Sequence, residues 1–122
     1  MSEYKKLYDF TKDLLEAAEK AYARFEEIKE SKTDADFYKE VKPFVDETAK
    51  LTDQWKKAAI DWITKEKPRN FHKKQIEDCS KNIEMISIQA FFSITSRKRF
   101  IDHFQSVRFL LTGLLMELES KK

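Results

Sequence analysis

Apolar residues recur along most of this chain at steps that alternate between four and three residues. This spacing places apolar side chains on one face of an α-helix, and the alternation is typical of helices packed in a bundle. Four segments show the pattern, and Leu7, Leu14 and Ala21 widen the first of them on one side. The four predicted core stripes are Tyr4, Tyr8, Thr11, Leu15, Ala18, Tyr22 and Phe25; Phe37, Val41, Phe44, Thr48, Leu51, Trp55, Ala58 and Trp62; Ile76, Cys79, Ile83, Ile86, Ala90 and Ile94; and Phe100, Phe104, Val107, Leu111, Leu114 and Leu118.

Short polar segments separate the first two stripes and end the second. Thr33, with Asp36 three residues later, resembles a capping box and predicts that the second helix starts there. Pro43 lies on the outward side of the second stripe, where water can satisfy the carbonyl group that proline leaves free. We therefore expect a kink between Lys39 and Pro43 instead of a loop. Pro68 stands where the second stripe stops, so it ends the second helix.

The third and fourth stripes have no Gly or Pro between them, yet they differ in phase by about one residue. A continuous helix would place Arg97 and Arg108 in the core. The phase change favours a tight turn between two antiparallel helices, with Thr95-Ser96 as the cap of the second.

The chain has 122 residues with a single glycine, which is too few for the many turns of an all-β fold or for a glycine-rich phosphate loop. We predict one all-α domain over residues 1–122. Short connections force neighbouring helices to run antiparallel, so the expected fold is an up-down-up-down four-helix bundle with a Pro43 kink in helix 2. The expected helices span about residues 2–30, 34–66, 71–95 and 97–120.

Several short motifs in the region from Phe37 to Leu118 resemble the YppE-like family, small uncharacterised proteins of Bacillus and related Firmicutes. The resemblance implies a helical bundle and a cytoplasmic Firmicutes protein, and it implies no activity, ligand or site residue. The motifs that carry it are Lys42-Pro43, Trp55 followed by Ala58, Lys67-Pro68 leading to His72, Gln75-Ile76, Asn82 and Lys98-Arg99-Phe100.

The sequence lacks the residues that metal-binding and catalytic helical bundles usually require. A di-iron centre needs inward carboxylates and two Glu-x-x-His motifs, but neither His72 nor His103 follows a Glu at that spacing, and the core stripes hold no acidic residue. The single cysteine, Cys79, lies on an apolar stripe, where a thiol is inert. We therefore predict no catalytic residue, no cofactor, no metal site and no enzymatic activity.

The outward faces of the last two predicted helices carry apolar residues where a solvated face would carry charged ones. Adjacent apolar stripes of this kind predict a contact surface for another protein, most simply a second copy of the chain. Glycine within this face would permit the close approach of another helix. The candidate interface residues are Met85, Ile88, Phe92, Phe109, Gly113 and Met116.

Positive charge is concentrated in residues 67–99, which hold eight basic residues against three acidic ones, although the net charge of the chain is only +2. Basic side chains beside aromatic ones can contact nucleic acid, so binding of DNA or RNA is an alternative function. The expected helix between the two basic groups separates them by about 35–40 Å, at opposite ends of the bundle. The candidate anion contacts are Arg69, Lys73, Lys74, Arg97, Lys98 and Arg99.

Two further expectations concern ligands and location. The high aromatic content leaves open a small-ligand site between helices, although nothing in the sequence converges on one. The longest apolar runs are far too short to span a bilayer, and one cysteine cannot form an internal disulfide. We expect a cytoplasmic protein with no membrane partner, acting through protein contacts.

Overall fold

The computed structural model describes residues 4–120 and forms an all-α, antiparallel up-down-up-down four-helix bundle. Its α-helices are α1 (Lys5–Ser31), α2 (Lys42–Glu66), α3 (Lys73–Gln89) and α4 (Arg97–Ser120), with a π-helical turn at Phe37–Val41 directly before α2. Each helix packs against the next along the chain, and α4 returns to pack against α1. The part of the first predicted helix before residue 4 lies outside the described residues.

The fourth predicted stripe is confirmed in full, because all six of its residues are buried. In α1 the buried stripe is centred differently from the predicted one, and Tyr8 and Tyr22 are only partly buried. Each of these tyrosines packs its ring at the edge of the core and donates its hydroxyl proton to a surface carboxylate, of Glu119 and Glu26 respectively. Spacing alone could not separate these boundary residues from the true core. The buried residues of α1 are Leu7, Thr11, Leu14, Ala18, Ala21, Phe25 and Ile28.

The predicted helix start at Thr33 is wrong, because Asp36 is the capping residue. Its Oδ1 accepts a hydrogen bond of 2.8 Å from the backbone N–H of Lys39. The segment before it is held by the α3–α4 connection: the N–H of Ala35 donates to the Phe91 carbonyl, and Asp34 accepts from the N–H of Ser93. These contacts between distant segments delay the helix by three residues, and Phe37, expected in the core, is exposed.

The helix continues through Pro43, and the irregularity before it takes the form of the π-helical turn. The N–H groups of Val41 and Lys42 donate to the carbonyls of Asp36 and Phe37, each five residues earlier. Pro43 itself is exposed, as predicted, and lies in the first turn of α2. Because proline has no backbone N–H to donate to the turn before it, the break in regular α-helical hydrogen bonding falls directly before Pro43.

The helix α3 ends at Gln89, six residues before the predicted end. Residues 90–96 connect the two helices. In this connection the Thr95 hydroxyl donates to the Gln89 carbonyl, and Ser96 Oγ caps α4 by accepting from the N–H of Arg99. The cap at Thr95-Ser96 is therefore confirmed. Ile94, expected in the core, is 93% exposed in this connection.

The α2–α3 connection is close to the prediction. Lys67 adopts the left-handed conformation that ends α2, and Pro68 follows it directly. The helix α3 starts at Lys73, two residues later than predicted, because Phe71 leaves the helical path to pack its ring against that of Trp62, with ring centroids 5.6 Å apart. The Gln75 side chain then accepts a hydrogen bond from the backbone N–H of His72.

Candidate protein-binding surface on the fourth helix

The outer side of α4 carries a stripe of side chains that the bundle does not cover. Phe109 is 83% exposed and Met116 is 65% exposed. They lie seven residues apart, which is two helical turns or about 10 Å along one face. Thr112 and Gly113 lie between them on the same face. We call Phe109, Thr112, Gly113 and Met116 the α4 stripe.

An open groove of about 850 Å³ runs beside the α4 stripe, between α4 and α1. Its floor includes Tyr22 of α1 stacked on Phe104 of α4, with ring centroids 4.8 Å apart. Two polar side chains of opposite charge, Glu19 and Arg108, also line the groove. Stacked rings bury much apolar area between two helices, so the floor of the groove is apolar, and most of its other lining residues are apolar or uncharged.

The other candidate interface residues lie elsewhere. Ile88 lines a separate groove between α2 and α3, on the opposite side of the bundle from the α1–α4 groove. Phe92 is half-buried in the α3–α4 turn and not on a helix. The prediction that outward apolar stripes on α3 and α4 lie side by side is therefore wrong for the α3 residues, since it assumed a longer α3.

Met85 is exposed on α3, but it is displaced along the bundle from Phe109. The helices α3 and α4 meet at the end of the bundle where α3 finishes and α4 begins. Met85 lies four residues from that end and Phe109 twelve, so they differ in height by about 12 Å. The structure thus brings together Phe109, Gly113 and Met116, and places Met85 apart from them.

Gly113 is not required by contacts within the fold. A Cβ atom added at this position would lie 3.8 Å from Cζ of Phe71, an ordinary van der Waals distance. Glycine inside a helix costs about 1 kcal/mol relative to alanine, because its backbone is freer in the unfolded chain.

We predict that Gly113→Ala raises the free energy of unfolding by about 0.5–1 kcal/mol. Urea denaturation followed by circular dichroism at low protein concentration would measure the change. A loss of stability of similar size would show that the added methyl group is not accommodated against Phe71.

The basic residues at the start of α4 are partly engaged within the bundle. Arg97 Nη1 lies 2.8 Å from Glu26 Oε1, and its guanidinium group lies over the ring of Phe25, 5.6 Å from the centroid. The hydrogen bond from Arg97 lowers the pKa of Glu26. Lys98 pairs with Asp102 at 3.1 Å, whereas Arg99 is exposed and has no acidic partner within 4 Å among residues 4–120.

The second basic group lies at the other end of α3. Lys74 pairs with Asp78 at 3.2 Å, whereas Arg69 and Lys73 are exposed and have no such partner among the described residues. The 17 residues of α3 span about 25 Å, so the groups are closer than the predicted 35–40 Å. They still lie at opposite ends of the bundle, and nucleic-acid binding stays a prediction that nothing in this arrangement favours.

The remaining reactive groups are dispersed. Cys79 is buried among apolar side chains, and desolvation raises the pKa of its thiol to about 12. His103 Nδ1 and Gln89 Oε1 are buried and have no hydrogen-bond partner within the described part of the chain. Among residues 4–120, no three His, Cys, Asp or Glu side chains come close enough to hold a metal ion. None of the helices described combines the length and the apolar character needed to cross a membrane.

Fold and surface together define a small four-helix bundle with an apolar stripe outside its core. The chain belongs to the family described as bacterial domain of unknown function DUF1798, whose model matches residues 11–118. It is 32% identical over 112 residues to the uncharacterized protein YppE of Bacillus subtilis, and the matched region covers 92% of this chain and 91% of YppE. The resemblance inferred from the short motifs is thereby confirmed.

Solved structures of relatives have the same fold. A Listeria innocua protein of unknown function matches with a TM-score of 0.92 at 32% identity, covering 97% of this chain and 94% of that one. The crystal structure of yppE from Bacillus subtilis matches with a TM-score of 0.91 at 30% identity, covering 99% and 98%. A DUF1798 protein from Staphylococcus aureus matches with a TM-score of 0.85 at 26% identity, covering 93% and 96%.

Proposed function

We propose that this protein is not an enzyme and that it acts by binding another protein through the α4 stripe. The observation that carries the proposal is the 83% exposure of Phe109 on a helix whose inward residues are all buried. Burying a phenylalanine or methionine side chain contributes about 1.5–3 kcal/mol each. Phe109 and Met116 can therefore contribute several kcal/mol to association, while contributing little to the fold.

The shape around the stripe favours a helical partner. Thr112 and Gly113 are small, so a second helix can approach the α4 backbone between the two large side chains. A helix laid on this face would contact Phe109 and Met116 at the two-turn spacing that helix-on-groove recognition uses. The polar groups Glu19 and Arg108 at the groove would then lie at the rim of the contact, where charged groups remain partly solvated.

The proposal includes a cytoplasmic location. A chain with one cysteine forms no internal disulfide, and a fold that keeps its single thiol, Cys79, buried without a disulfide suits a reducing compartment. The alternatives of nucleic-acid binding and small-ligand binding between helices remain hypotheses to which no specific contact in the structure adds support.

Photo-crosslinking in cells that make the protein naturally would test the proposal. A benzophenone amino acid replaces Phe109 in one variant and Met116 in another. The matched control carries it at Lys50, an exposed position on α2, away from the stripe. We expect discrete protein adducts from positions 109 and 116, and none of the same mass from position 50.

Two outcomes would contradict this function. One is the absence of protein adducts from both stripe positions when the variants are folded and expressed at the normal level. The other is the same set of adducts from Lys50, which would mean that contact with the α4 stripe is not selective.

A further inference from the structure

The α4 stripe has a large apolar side chain at each end and small residues in the middle, so the order of side-chain sizes is the same in both directions along the helix. Phe109 and Met116 lie at equal distances on either side of the point between Thr112 and Gly113. A twofold axis perpendicular to α4 at that point would place Phe109 of each copy against Met116 of the other. Thr112 and Gly113 of the two copies would then meet where the two α4 helices cross. Isologous dimers require this kind of self-complementary surface.

The charges beside the stripe have the same symmetry. Arg108 and Glu119 lie eleven residues apart, within about 20° of three full turns, so they share one side of α4. Their midpoint lies one residue, or about 1.5 Å, from the midpoint of Phe109 and Met116. The same twofold axis therefore brings Arg108 of each copy against Glu119 of the other, whereas a parallel arrangement would bring like charges together.

The surroundings of Arg108 and Glu119 leave both side chains accessible to a second copy of the chain. Arg108 is exposed and has no acidic partner within 4 Å among residues 4–120. Glu119 is also exposed, and its Oε2 accepts a hydrogen bond of 2.7 Å from the Tyr8 hydroxyl. That bond orients the carboxylate, which has further acceptor positions on its two oxygens.

We propose that the partner of the α4 stripe is a second copy of this chain, docked antiparallel through α4 about a twofold axis near Thr112 and Gly113. This inference rests on the proposed function, since it names the occupant of the same surface. Two apolar side chains per copy are fewer than a tight obligate dimer buries, so we expect dissociation in the micromolar range, on the order of 10–100 µM.

Charge exchange between two variants tests the geometry. Arg108→Glu alone would place Glu against Glu across the axis, and Glu119→Arg alone would place Arg against Arg. Each variant alone should dimerise at least about tenfold more weakly than the natural protein, because both symmetric pairs become repulsive. An equimolar mixture of the two variants should form a heterodimer in which both pairs are again of opposite charge.

Sedimentation equilibrium from about 10 µM to 1 mM would measure the self-association, with circular dichroism showing that each variant is folded. Lys50→Glu, an exposed charge reversal on α2, is the matched control and should leave dimerisation unchanged. Recovery of association in the mixture to within about threefold of the natural protein would support the proposal, since a folding defect cannot be rescued by mixing.

Three results would overturn the inference: a natural protein that stays monomeric at 1 mM, single variants that dimerise normally, or a mixture that fails to restore association. The proposed function is tested separately by the masses of the crosslinked adducts. Adducts with a different protein, together with a monomeric natural protein, would retain the binding function and refute the second copy as partner.

Discussion

Replacing Trp55 by alanine should lower the free energy of unfolding by about 3–5 kcal/mol, a large share of the stability of a domain of this size. Trp55 is completely buried between α2 and the rest of the bundle. Its indole Nε1–H donates a 3.0 Å hydrogen bond to Oγ1 of Thr11 on α1, and the Thr11 hydroxyl donates in turn to the Leu7 carbonyl at 2.7 Å. The substitution therefore removes the largest buried side chain and the polar link between two helices. Urea denaturation followed by far-ultraviolet circular dichroism would measure the loss.

A double-mutant cycle separates the hydrogen bond from the packing. Thr11→Val keeps the shape of the side chain but leaves the Trp55 N–H buried without a partner, which should cost about 1–3 kcal/mol. In the background of Trp55→Phe, which has no N–H, the same Thr11→Val change should cost clearly less. Equal costs of Thr11→Val in both backgrounds would mean that this hydrogen bond does not contribute to stability.

The second large effect is expected at Phe100, where Phe100→Ala should cost about 3–5 kcal/mol. This ring is fully buried in the first turn of α4 and stacks on Phe25 of α1, with centroids 4.1 Å apart and planes 7° from parallel. The pair closes the end of the bundle at which α4 starts, beneath the guanidinium group of Arg97. Removing one ring leaves a cavity and deprives the other of its stacking partner. Thermal denaturation under reversible conditions would report the change.

Phe109→Ala is the matched control, because it removes the same side chain from the same helix on the opposite side. Phe109 is exposed, so this variant should stay within about 0.5 kcal/mol of the natural protein when both are monomeric. A destabilisation of Phe109→Ala as large as that of Phe100→Ala would show that Phe109 belongs to the core and would remove the basis of the proposed binding surface.

The class of fold follows from local sequence properties, which is why it could be predicted. The spacing of apolar residues sets which face of a helix can be buried. In α4 the alternating steps of four and three residues identified all six buried residues, although Ile101, Leu110 and Leu115 lie directly beside them in the sequence. The change of phase after Ile94 and the presence of Ser96 sufficed to separate α3 from α4. Local spacing also placed Phe109 and Met116 on the outside of α4, and the structure leaves both exposed.

Contacts between distant segments decided the rest. The α1–α2 connection is bonded to the α3–α4 turn through Asp34 and Ala35, and this contact delays the second helix to Asp36 and accompanies the early end of α3 at Gln89. The spacing of residues within one helix carries no information about bonds between two loops that are about sixty positions apart. The shorter α3 then separates Met85 and Ile88 from the α4 stripe.

This chain's sequence by itself determined that four amphipathic helices pack antiparallel around one apolar core, because periodicity, helix caps and the scarcity of glycine are local properties. Only the tertiary structure decided where the helices end and which outward apolar residues form one surface. Those outcomes depend on loop-to-loop hydrogen bonds, on the rotation of α1 that places its tyrosines at the edge of the core, and on the relative heights of α3 and α4, none of which is encoded within a single helix.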